Sequence, residues 1–186
     1  MYKKLNLSLL IMLVALVSIN AQKIFTKTGE ISFYSHTPVE DIEAITNSAN
    51  SVIDLESGKI QWAMLIKSFE FEKALMQEHF NENYMESSEF PKAKFSGSIS
   101  DISKLDISKD GSYTVDVSGI MEIHGVKNDV KFPATFTVNA GDISAESSLK
   151  VLVADYGIEV PGVVRDNIAK EIEITVKANY DLLDKS

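Results

Sequence analysis

The sequence predicts an all-β domain of eight or nine antiparallel strands. Three observations carry this. Apolar and polar residues alternate with a period of two through most of the chain, turn residues separate the alternating runs, and one segment alone breaks the alternation. Such alternation puts one face of each strand in the core and the other in water, as antiparallel sheets allow.

The first element is a leader. In MYKKLNLSLLIMLVALVSINAQ, Lys3 and Lys4 precede an apolar run from Leu7 to Ile19, and Ala21 follows at a cleavage position. This is the layout of a secretory signal peptide over residues 1–21. The run is shorter than the roughly 20 apolar residues that an uncleaved anchor needs to span a bilayer. Residues 22–186 are then a single domain, periplasmic or secreted, and long enough to bury a core. No cysteine occurs, so disulfides contribute nothing and stability rests on that core. The formal charge of −9 becomes more negative once Lys3 and Lys4 leave with the leader. An acidic body of that kind repels nucleic acid and anionic surfaces.

Strands are expected at Glu30 to His36, Ile42 to Thr46, Ser51 to Leu55, Lys59 to Lys67 and Lys92 to Ile102. In YTVDVSGIMEIHG, Tyr113, Val115, Val117, Met121 and Ile123 share one face. The runs VKFPATFTV, ISAESSLKVLV and EIEITVKANY repeat the pattern, with Phe132, Phe136, Leu149 and Ile174 among their apolar sets. Turn residues fall between the runs at Ser57-Gly58, Asp110-Gly111, Gly125, Asn139-Ala140-Gly141 and Pro161-Gly162. The exception is FEFEKALMQEHFNENYM, where apolar residues recur at spacings of three to five among strong helix formers. It predicts a short helix over Glu72 to Asn81 and an irregular stretch up to Pro91, which forces Phe90 into extended geometry.

Strands with one apolar face hide it by stacking two sheets or by closing one into a barrel. Inward positions include the small residues Ala93, Gly97, Gly119, Ala134, Ala145 and Ala178. In an eight-stranded barrel they leave room for a cavity, or they mark bends.

Three stretches resemble the YceI-like family. They are the acidic, aromatic approach to a strand in ESSEFPKAKFSGSI, the strand–turn–strand unit VSGIMEIHGVKNDVKFP, and the closing loop and strand in ADYGIEVPGVVRDNIAKEIEITVKANY. The likeness runs from about Gly29 to the C-terminus. It implies an eight-stranded antiparallel lipocalin-like barrel with a short helix covering one end. It also implies an apolar cavity for a polyisoprenoid, prenyl quinone or fatty-acid-like lipid outside the cytoplasm. The chain departs from the family pattern in HTPVEDIEAITNSANSVIDLESGKI, which lacks a Gly-aromatic pairing, and in FEFEKALMQEHF, which replaces an Arg-Asp pair. Both departures bear on ligand length and on the shape of the mouth.

The expected ligand-binding residues are the inward side chains Phe33, Trp62, Met64, Phe95, Val117, Met121, Ile123, Phe132, Phe136, Leu149 and Ile174. Phe80, Tyr84 and Met85 are expected to cap the cavity. Ordinary core packing is the alternative role for each. A buried tail gains about 0.3 kcal/mol per heavy atom, so some forty carbons reach roughly 12 kcal/mol with no reactive group involved.

No catalytic constellation stands out. His36, His79 and His124 are far apart and form no metal-ligand spacing, and no serine lies in a Gly-x-Ser-x-Gly elbow. His124 is expected to order its own turn, His79 to lie on the exposed side of the helix, and Arg165-Asp166 to form an exposed ion pair. The reading is therefore a non-enzymatic lipid carrier with no cofactor or metal, its oligomeric state open to a homodimer. The rival reading is an interaction domain whose interior is filled by side chains.

Overall fold

Eight long strands close on themselves in the computed structural model, which describes residues 22–183; the expected leader lies outside the described residues. β1 (Lys23–His36) pairs with β2 (Asp41–Asp54), and β2 with β3 (Lys59–Leu65). The order continues through β5 (Lys92–Ile99), β6 (Gly111–Ile123), β7 (Val126–Asn139), β8 (Asp142–Leu152) and β9 (Glu171–Leu183), all antiparallel. β9 returns to β1, so the sheet is a barrel and the two-sheet alternative is excluded. A two-residue strand, β4 (Glu70–Phe71), adds to β2 at one end.

β1 and β2 are longer than the alternation suggests, and bulges are the reason. In β1 the buried positions Ile24 and Thr26 are even, but the inward set beyond them is Gly29, Phe33 and Ser35. In β2 the buried set passes from Ala44 and Thr46 to Ala49, Ser51 and Ile53. The register shifts between Thr26 and Gly29 and again between Gly29 and Ile31. Each extra residue flips the side-chain parity and bends the wall. The two strands expected over Ile42–Leu55 are therefore one strand. Trp62 lies against the inside of the bend, where a Cβ on Gly29 would sit 2.7 Å from its ring.

Two hairpins turn in two residues, His124-Gly125 (φ 52° and 72°) and Ala140-Gly141 (φ 52° and 94°). Paired positive φ angles match the twist of the flanking strands. β3 and β5 stop earlier than expected, running into one-turn 3₁₀ segments at Ile66–Ser68 and Ile102–Lys104.

The barrel differs between its two halves. At the end formed by the β2–β3 turn and the Ile99–Gly111 connection, Ile24, Ile53, Ile60, Ile99, Leu105 and Val115 fill the interior. Ile102 and Ile107 pack against them and close that end. Tyr180 and Ser51 share a buried 2.9 Å hydrogen bond there, and burial pushes the Tyr180 phenol far above its ordinary range, opposed by that bond. The outer wall carries cross-strand pairs such as Lys131–Asp116 (3.2 Å) and Lys150–Glu171 (3.0 Å). Exposed pairs of this kind add little stability, and their importance is that the wall faces water.

A chamber at the other end of the barrel, the candidate functional site

The half of the lumen towards the helix is open, with a cavity of about 360 Å³. That lies within the usual range of small-molecule sites, roughly 300–1,000 Å³. All eleven side chains expected on the inner wall line it, and so do Phe80, Tyr84 and Met85. They meet because each occupies an inward position of a strand, or of the covering segment, in the half of the barrel towards the helix. Trp62, Phe95, Val117, Phe136 and Tyr180 form the floor, above the filled half. Met64 and Met121 in the wall add thioether chains that adapt to varied tail shapes.

Small residues divide between two roles. Ala93, Ala134 and Ala145 line the chamber. Gly97 and Gly119 do not: they face each other across β5 and β6, and the Phe95 ring covers Gly97. Ala178 belongs to the filled core. The glycine pair thus makes room for the Phe95 ring and for the close approach of two backbones, and the alanines leave the open space.

The roof is shorter as a helix than the sequence suggests. α1 spans Ala74–His79 only, because Lys73 at its N-cap supplies no side-chain acceptor. A wider π turn follows over Phe80–Tyr84, and the Met85 N–H donates to the Phe80 carbonyl at 2.9 Å. That wider turn presents Phe80, Tyr84 and Met85 to the chamber together. Phe80 is locked into a cluster with Phe33 (5.3 Å between centroids), Phe69 (5.6 Å) and Phe71 (5.0 Å). Each such aromatic pair contributes about 0.5–1.5 kcal/mol beyond area burial.

The second part of the roof was not legible as such in the sequence. Between β8 and β9, the connection over residues 153–170 sends Val153, Tyr156, Ile158, Val160, Val164 and Ile168 to the chamber. Its signal is length combined with apolar content, since a long connection without regular structure is uncommon unless it has a task. Tyr156 is only 2% exposed, and its hydroxyl is buried without a hydrogen-bond partner. Burial raises the Tyr156 phenol above its ordinary value, opposed by the nearby Asn128 side chain.

The three histidines do not converge. His36 pairs with Asp41 at 2.6 Å on the surface, and its hydrogen bond holds the Asp41 carboxyl below the usual range. His79 is exposed, yet it also reaches the edge of the chamber. His124 does more than order its own turn: Nδ1 donates to the Tyr156 carbonyl (3.2 Å), Nε2 lies 2.9 Å from the Glu86 carboxylate, and the ring packs on Phe90 (4.6 Å). It clasps both parts of the roof to the β6–β7 hairpin without lining the chamber. His124→Gln should therefore leave ligand uptake unchanged, while limited proteolysis within residues 86–91 becomes about fivefold faster, in keeping with one lost hydrogen bond of about 1 kcal/mol. Arg165 and Asp166 are both exposed, and no salt bridge joins them among the described residues. Among the described residues, no group of three or more His, Asp or Glu could hold a metal.

Comparison with known proteins agrees with this architecture. The sequence matches the YceI-like domain family over residues 22–180. No curated protein matches it. Among solved structures, a polyisoprenoid binding domain from Saccharophagus degradans, implicated in plant cell wall breakdown, superposes with a TM-score of 0.72 at 14% identity, covering 88% of this chain and 99% of that one. BcnA of Burkholderia cenocepacia gives 0.67 at 16% identity, covering 82% and 96%. The YceI protein of Campylobacter jejuni gives 0.62 at 15% identity, covering 81% and 90%. At these identities the likeness is one of fold.

Proposed function

The chain belongs to the YceI-like domain family, and from that premise we propose that it binds and carries one long-chain isoprenoid or similar amphiphilic lipid outside the cytoplasm. The observation that carries the reading is the chamber itself, an apolar space above a filled floor and beneath a roof of aromatic and aliphatic side chains. The S. degradans domain, described as polyisoprenoid binding, supports the choice of lipid class. The leader-like run from Lys3 to Ala21 supports the compartment.

The dimensions bound the buried part of the ligand. On β9 the lining runs from Ile172 to Tyr180. At roughly 3.3 Å per residue and a tilt of about 40°, this is an axial reach of about 20 Å. An extended tail advances about 1.25 Å per carbon, so about sixteen carbons reach the floor. With methyl branches, about twenty buried heavy atoms contribute about 6 kcal/mol, a dissociation constant of tens of micromolar. A forty-carbon tail would fold back or leave part of its length at the mouth.

The single tryptophan, Trp62, sits in the floor and reports occupancy directly. Titration with a prenyl quinone of four isoprene units should quench its emission saturably, fitting one site per chain with a midpoint of tens of micromolar. Unchanged emission up to the solubility limit would overturn the carrier reading.

A further inference from the structure

The three most exposed large apolar side chains among the described residues are Val163 (93%), Val39 (63%) and Leu75 (61%). They come from three separate elements, the 153–170 connection, the β1–β2 hairpin and α1. Each is followed immediately in sequence by a residue that lines the chamber, Val164, Glu40 and Met76 respectively. The three elements are also fastened to one another. The Glu40 carboxylate accepts from Lys73 Nζ at 3.4 Å and from Asn167 Nδ2 at 3.1 Å. The Ala169 N–H donates to the buried Ser35 hydroxyl at 2.9 Å. One carboxylate thus gathers three apolar tips around the rim of a lipid-sized chamber.

We propose that this rim is a membrane-docking face, with Val163, Val39 and Leu75 entering the surface of a lipid bilayer so that the chamber opens onto it. The proposal rests on the carrier reading for its purpose and on rim geometry for its substance. Solvent-exposed apolar tips are a cost in water that insertion between acyl chains removes. Charge selects the kind of surface. Lys73 and Arg165 at the rim are offset by Glu40, Glu72 and Asp166, and the chain as a whole carries −9. No cationic surplus is present to attract anionic headgroups. Docking is therefore apolar, insensitive to salt on zwitterionic lipid, and stronger there than on anionic lipid.

The test uses residues 22–186, which contain the whole closed barrel and omit the apolar leader. Flotation with phosphatidylcholine vesicles should recover the protein, and less of it once phosphatidylglycerol is mixed in. Each of V163D, V39D and L75D should lower the partition coefficient about tenfold, and the triple variant should stay with the soluble fraction. All three sites are exposed, so far-UV circular dichroism should be unchanged. In parallel, a prenyl quinone added from ethanol without vesicles should load the triple variant as it loads the parent, read by Trp62 emission. Parent protein that loads from ethanol but does not float would overturn docking and leave the carrier reading standing. Protein that floats through the three tips but never loads would retain docking and remove the carrier reading. Loss of a dimer in the triple variant, with no parent on the vesicles, would mean that the rim joins two copies, and would overturn the proposal.

Discussion

Gly119→Ala should destabilise the barrel by about 3 kcal/mol or more, the upper range for overpacking a rigid site. A Cβ at this position would collide with the Gly97 Cα and the Ser96 carbonyl of the neighbouring strand. Both obstacles are backbone, held in the β5–β6 ladder, so no rotamer change relieves them. Urea unfolding followed by far-UV circular dichroism would show the effect as a large fall in midpoint with an unchanged slope. Gly162→Ala is the matched control. Nothing lies within 4 Å of its added Cβ, so it should be neutral or slightly stabilising through the unfolded chain. Equal midpoints for the two variants would contradict the close approach of β5 and β6.

The largest effect on binding is expected from filling the chamber. Ala93 and Ala145 both line it, one near the roof and one lower in the wall. Phenylalanine at each adds six ring carbons, so Ala93→Phe with Ala145→Phe displaces about twelve tail atoms. At about 0.3 kcal/mol per atom this is about 4 kcal/mol, a loss of roughly a thousandfold in affinity. Stability should fall by no more than about 1–3 kcal/mol, the overpacking range, because both positions border the open chamber as well as packed side chains. Trp62 titration with the prenyl quinone checks the first statement and thermal unfolding the second. Undiminished binding in a folded double variant would place the ligand elsewhere.

The legible part of this protein was whatever keeps a strict period. Along β6 to β9, alternation identifies the inward set, and inward residues at mid-height must meet in a closed barrel; Val117, Phe132, Leu149 and Ile174 follow from that alone. The bulges in β1 and β2 were hidden because an inserted residue reverses parity and makes one long strand look like two short ones. The roof is legible in part. Phe80, Tyr84 and Met85 were visible as aromatic and Met anchors in a polar segment. Phe69 and Phe71 join them only through β4 and the 3₁₀ turn at Ile66–Ser68, contacts set by tertiary pairing. Beyond Val153, which ends the alternating run of β8, the 153–170 connection carries no period, and so its other lining residues read as loop. From sequence His124 reads as ordering only its own turn, because its partners, Glu86 and Tyr156, lie 38 and 32 residues away.

Binding depends on water being excluded from a guest tail by the upper lumen. The most direct measurement is native mass spectrometry of the protein purified from its own host, beside the Ala93→Phe, Ala145→Phe double variant, with lipid extraction of both. One amphiphile per parent chain, bearing a long apolar tail, is expected, and none on the double variant. Parent protein with no bound lipid, or the same lipid at the same stoichiometry on both proteins, would contradict it.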